Sequence, residues 1–183
     1  MVTRDRASNR RQMARGLIIG VVATLVGIAL CAYIGIVAGL MPANADGKPS
    51  RLERWAASKS LHATLARDAP KIANPVPLDD VNLIAGIRIY AANCAVCHGA
   101  ANGKPSNVAR GLYQKPPQLA NDGVEDDPDG VTYWKVDHGI RLTGMPSFGR
   151  ALNETQLWQV TLFLKHMNAL PPEPARVWKT VKS

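Results

Sequence analysis

A chain of 183 residues with 22 Lys+Arg against 14 Asp+Glu has a formal net charge of +8, which raises the question of a nucleic-acid partner. The location of that charge excludes one: residues 1–15 contribute +4, residues 46–74 contribute +3 and the tail after Leu170 contributes +2, whereas residues 75–170 come to −1. The central domain therefore lacks the basic groove that a phosphate backbone requires, and three cysteines exclude a disulfide framework beyond a single pair.

Residues 16–41 read GLIIGVVATLVGIALCAYIGIVAGLM, 26 residues without a charge. About 20 apolar residues suffice to cross the roughly 30 Å of a bilayer's hydrocarbon core. Backbone groups in lipid must be satisfied within their own segment, so the run is expected to be a transmembrane helix. Arg4, Arg6, Arg10, Arg11 and Arg15 precede it. The positive-inside rule makes 1–15 a basic cytoplasmic tail and exports everything after residue 41, in a Gram-negative bacterium to the periplasm. The expected location is thus the inner membrane, single-pass. Ala43-Asn44-Ala45 resembles a signal-peptide cleavage site, but a signal sequence has an apolar stretch of only about 7–15 residues, so an uncleaved anchor is expected. Cys31, inside the run, reads as a small hydrophobe.

Residues 42–77 read as a linker. Ser50 with Glu53 fits a capping box and predicts a short amphipathic helix over residues 51–66, with Leu52, Trp55, Ala56, Ala63 and Ala66 as its apolar stripe. Pro70, Pro75 and Pro77 break that helix and favour an extended stretch. The segment is expected to be a spacer lifting the following domain off the membrane.

The only cysteine pair lies in CAVCH: Cys94, Cys97 and the adjacent His98. Three chemistries use such a string. A thioredoxin-like CxxC follows a strand and opens a helix. Here the approach is helical, because Val81, Leu83, Ile84, Ile87, Tyr90 and Ala91 fall at helical spacing after a cap at Asp79 or Asp80. A zinc site needs four ligands, or three and a water, and neither a second Cys pair nor an HxxxH follows. The third is attachment of one c-type haem: each thiol adds across a vinyl group, two intervening residues let both sulfurs reach, and the adjacent His falls beneath the iron. Such haem is attached outside the cytoplasm, in keeping with an exported domain.

With these pieces in place, residues 78–170 resemble the class I cytochromes c, in particular small bacterial membrane-anchored monohaem ones. The fold implied is all-α, a transmembrane helix followed by a cytochrome c-like haem domain, with 171–183 as a Pro-rich, basic tail. The resemblance implies that Gly86 lets a C-terminal helix cross closely, with Phe163 as the residue to meet it and Tyr90 packing beside it. It implies that a Pro carbonyl in GLYQKPPQL, residues 111–119, accepts a hydrogen bond from His98. Alignment with the family's Pro-x-Leu points to Pro117, with Pro116 as the alternative and Leu119 packing on the haem. It also implies that GMPSFG carries the second axial ligand, Met145, with His138 as the rival. His/Met ligation raises the reduction potential. Tyr113, Trp134 and Arg141 are candidates for contacts to the haem propionates. A short helix ending at Gly139 and a last helix capped by Asn153 with Gln156 complete the pattern; Pro171 and Pro172 stop the last helix.

The function implied is electron transfer, not catalysis, with redox proteins of the inner membrane or periplasm as partners. The alternatives are a haem subunit of a larger respiratory oxidase or dehydrogenase, and a haem peroxidase or gas sensor. The run Asp122, Glu125, Asp126, Asp127 and Asp129 is a candidate acidic patch for steering a basic partner.

Overall fold

The computed structural model describes residues 2–182, with side chains from residue 9 onward. Eight helices and no strands are found among the described residues. The chain divides into two compact units, Met1–Asn44 and Ala45–Ser183.

The first unit is one helix, α1 (Val2–Val37). Its stretch Asn9–Val37 is long and apolar enough to cross a membrane, and no part of its most apolar window is buried against the rest of the chain. At about 1.5 Å per residue, its length exceeds the hydrocarbon core. The helix ends at Val37, short of the end of the charge-free run. Gly39 takes φ +70°, and the N–H groups of Gly39 and Leu40 turn back to the carbonyls of Ile36 and Gly35. This is a glycine C-cap that satisfies orphan carbonyls.

The second unit is built on a crossing of two helices. α3 (Asp80–Asn93) starts where Asp79 accepts from the Asn82 N–H. α7 (Glu154–His166) starts in a complete capping box, Asn153 and Gln156 each bonding the other's backbone. They cross at Gly86, where an added Cβ would fall inside contact distance of the Gln159 carbonyl oxygen and 2.9 Å from Phe163 Cβ. Only glycine permits that approach, which outweighs the roughly 1 kcal/mol it costs in a helix interior. Leu83, Ile87 and Tyr90 of α3 and Val160, Thr161 and Phe163 of α7 are completely buried. Val81 and Ala91, expected on the apolar face, are exposed. α6 (Asp129–His138) packs on α7 and ends at Gly139, φ +68°. α4 (Ala95–His98) and α5 (Asn107–Gly111) carry and flank the CAVCH segment.

Two segments differ from the sequence-based expectation. The tail after Leu170 is a helix, α8 (Pro172–Thr180), with Pro172 at its first position. It packs on α3, and Trp178 meets Tyr90 and Phe163 edge-on at ring centroid distances of 5.4 and 5.1 Å. The prolines expected to stop α7 do not do so: α7 already ends at His166, and Pro172 instead starts α8, since proline suits a helix's first turn as well as it breaks an interior.

The linker is likewise more than a spacer. Its helix α2 (Arg51–Asp68) runs past the predicted end and packs on α6. Leu65 is buried, and Leu61 and Thr64 beside it are half-buried. The predicted stripe of Leu52, Trp55, Ala56, Ala63 and Ala66 faces solvent instead. Beyond α2, Pro70 lies so close to Gly130 that a Cβ there would strike its carbonyl oxygen. The Asn74 side chain donates to the Trp158 carbonyl, and its backbone N–H donates to Asp129.

Candidate functional site

The site begins where α3 ends. Cys94 is the C-cap of α3, and α4 follows as a single turn with the Cys97 and His98 N–H groups returning to the Cys94 carbonyl. One turn of helix thus carries both thiols and the imidazole. Gly99 then turns the chain at φ +81°. An added Cβ there would meet Gln118 Oε1 at 2.5 Å, and the Gly99 carbonyl accepts from the buried Tyr90 hydroxyl at 2.7 Å. That phenol is pushed above its ordinary range by burial, so it stays a neutral donor.

The loop 111–119 closes on this turn. His98 Nδ1 lies 3.0 Å from the Pro117 carbonyl oxygen. A carbonyl accepts only, so Nδ1 carries the hydrogen and Nε2 is left with a free lone pair. Between the two prolines left open by sequence, Pro117 makes the bond. The neighbouring backbone repeats the clamp: the Leu119 N–H donates to the His98 carbonyl, and Gln118 Nε2 donates to the carbonyls of Cys97 and Pro116. Leu119 is buried in the core beside Tyr90 and Ala95. Burial holds the His98 imidazole below its ordinary pKa, partly opposed by the Pro117 bond. A neutral ring is the form that ligates metal.

Burial, with Cys97 beside it, pushes the Cys94 thiol up to about 12. A thiol–disulfide switch needs a depressed pKa and a ready thiolate. Nor is there a protein-only metal centre: among the described residues, no group of three or more His, Cys, Asp and Glu side chains is placed to hold a metal ion. A haem fits this donor set, because its ring supplies four of the iron's ligands and asks the protein for two.

Met145 is reached from α6. Gly139 ends that helix where an added Cβ would lie 2.5 Å from the Pro146 carbonyl carbon. The Met145 carbonyl accepts from Ile140 N–H, and the Met145 N–H donates to Thr143 Oγ1 at 3.1 Å. The far side of the loop is tied to the end of α6 by Phe148 N–H to Val136, Gly149 N–H to Asp137, and Ser147 Oγ to the Asp137 carbonyl at 2.6 Å. Met145 is partly buried and packs against the core. An added Cβ on Gly144 would touch Leu112 Cδ2 at 2.8 Å, so this loop and the 111–119 loop are in contact.

The remaining expected residues are placed as follows. His138 is exposed; its ring stacks on Trp134 at 4.6 Å with its Nδ1 3.4 Å from Asp137. The Tyr113 hydroxyl donates to Glu53 Oε2 at 2.9 Å, so it is already used within the protein, and the Ser50–Glu53 box keeps only its Ser50 half. Arg141 is exposed in the methionine loop. Three of the five acids have partners within the protein: Asp127 pairs with Lys135, Asp129 accepts from Asn74 N–H, and Glu125 accepts from Asn168. Asp122 and Asp126 stay exposed. Sequence reasoning missed Gln118 and Thr143, whose roles are hydrogen bonds that no motif spells out. It also missed Trp178, whose spacing with Pro174, Val177 and Val181 was there to be read.

Residues 82–164 match the family model described as cytochrome c oxidase, cbb3-type, subunit III. No curated protein matches the chain. That match falls on the stretch from α3 to α7 that holds CAVCH, the 111–119 loop and the GMPSFG loop, so the chain contains a class I-like c-type cytochrome domain and is a carrier of electrons on a covalently bound haem c.

Proposed function

We propose that the chain is a single-pass inner-membrane cytochrome, residues 1–15 cytoplasmic and the haem domain periplasmic, whose haem is held through thioethers to Cys94 and Cys97 with His98 and Met145 as axial ligands. The apolar helix α1 and the arginines before it support the anchoring and the orientation. The observation that carries the ligand assignment is the 3.0 Å contact of His98 Nδ1 with the Pro117 carbonyl, which orients the ring and raises the basicity of Nε2. Leu119 walls the same side, and Trp134 and Arg141 remain the candidates for propionate contacts. The domain is extended at both ends, to include α2 before it and α8 after it.

Bound haem supplies a one-electron ferric/ferrous couple. His98 and Met145 would both ligate the iron, which would leave no coordination site open to oxygen or substrate and favours transfer over catalysis. A neutral His98 and a thioether bring no charge of their own, which favours the reduced state over a site with an anionic ligand. The reduced protein is expected to bind carbon monoxide slowly or not at all. Rapid binding would sink the six-coordinate reading and favour a gas-binding or peroxidatic one.

A second reading is favoured by the description of the matching family, an oxidase subunit: the chain works as the haem subunit of a larger membrane complex. Extraction in mild detergent followed by sizing separates the two, since a lone carrier elutes as a 19.7 kDa chain in its micelle and a subunit co-elutes with other haem proteins.

A further inference from the structure

Helix α2 carries apolar side chains on two opposite faces, and only one face is covered. On the inner face Leu65 is buried, with Leu61 and Thr64 half-buried beside it. At 100° per residue, Leu52, Trp55, Ala56, Lys59, Ala63 and Ala66 fall together on the opposite face, and all are exposed. Leu52 is 72% and Trp55 60% exposed. Scattered surface hydrophobes need no explanation, but a tryptophan and a leucine one turn apart on an outward face do. By the same spacing Lys59 falls on this outward face and Arg51 flanks it, with Lys48 just before the helix. Both acids of the helix are engaged: Glu53 by the Tyr113 hydroxyl and Asp68 by Arg67. What is presented outward is therefore apolar and basic.

The position in the chain selects the occupant. Residues 38–50 join this helix to the end of α1, so on the reading that α1 spans the membrane, α2 is the first helix after the bilayer and is tethered within reach of its surface. We infer that the outward face of α2 lies in the membrane interface, with Trp55 and Leu52 at the boundary of headgroups and acyl chains and the basic side chains among anionic headgroups. Tryptophan concentrates at that depth because its ring is apolar and its N–H is polar. A basic helix with one apolar face lies in the plane of the interface. The inner face of the same helix packs on α6, so a docked α2 fixes which side of the haem domain faces the lipid. This rests on the anchoring proposed above and adds an orientation to it.

The test uses full-length, haem-loaded protein carrying Cys31→Ala, so that with Cys94 and Cys97 in thioethers an added cysteine is the only free thiol. Ala56→Cys, or Lys179→Cys on α8 as a comparison, is labelled with an environment-sensitive fluorophore. The protein is then reconstituted in phosphatidylcholine/phosphatidylglycerol vesicles with lipids brominated in the upper acyl chain. The label at 56 is expected to shift to the blue and to be quenched by the brominated lipid, whereas the label at 179 does neither. Leu52→Ser with Trp55→Ser is expected to abolish both signals at 56 while leaving the visible spectrum of the haem unchanged. Protein that floats with the vesicles but shows no quenching at 56 overturns the interfacial placement and leaves the anchor standing. Protein that fails to float takes both readings down. Shielding of position 56 from an aqueous quencher in native membranes, but not in pure lipid, assigns the face to a protein partner and overturns the inference.

Discussion

The two sides of the haem site are built by different means. The histidine side belongs to the helical core: CAVCH is one turn following α3, and His98, Leu119, Gln118 and Gly99 are clamped by hydrogen bonds around a buried Tyr90 hydroxyl. The methionine side is a loop. Residues 139–149 are bound mainly by backbone hydrogen bonds to the last turn of α6, and their side chains are mostly exposed. On the proposed ligand set, attachment and one ligand belong to the buried core, while the other ligand sits on a loop with few buried side chains, the kind of element that opens locally at lower cost.

The strongest way to break the comparison is to remove the covalent side. Cys94→Ser with Cys97→Ser is expected to eliminate haem staining on a denaturing gel, since no thioether survives. Next is Gly86→Val, which drives a branched side chain into the Gln159 carbonyl and Phe163. Overpacking of this kind costs about 1–3 kcal/mol or more, read as a lowered denaturation midpoint, and both sides of the site are lost with the helix crossing. Gly139→Ala separates the sides. It forces alanine to φ +68° with its Cβ against Pro146, costing about 1–2 kcal/mol for the backbone alone. Carbon monoxide is expected to bind the reduced variant faster while haem staining is unchanged. The smallest effect belongs to Leu142, which has φ +62° and is 87% exposed. Asparagine adopts that conformation more readily, so Leu142→Asn is expected to raise stability by about 0.5 kcal/mol and to leave attachment untouched.

The sequence is legible in proportion to how local the signals are. Asn153 with Gln156, Asp79 and Gly139 announce helix ends through groups within a turn of one another, and each acts as read. Gly86 and Phe163 meet across a long stretch of chain, yet the pair can be named because the resemblance to the class I cytochromes c implies a C-terminal helix crossing closely at Gly86. The stripe on α2 misleads because periodicity reveals that a helix has an apolar face without revealing what covers it. Helix α8 hides behind prolines that read as terminators, although one of them starts it. Tyr113 reads as a propionate contact, but a carboxylate 60 positions earlier claims its hydroxyl; such a contact between separate segments leaves no trace in local sequence. The acidic run shows the same limit, because Asp127 pairs with Lys135 while Asp129 and Glu125 accept hydrogen bonds from Asn74 and Asn168, groups on other segments.

The central claim is that His98 and Met145 hold one haem between a core-built side and a loop-built side, and the ferric optical spectrum tests it most directly. The haem-loaded protein is predicted to show the long-wavelength sulfur-to-iron charge-transfer band, and Met145→Ala is predicted to lose that band while keeping its covalent haem. A parent protein without the band, or a Met145→Ala spectrum identical to the parent's, would contradict it.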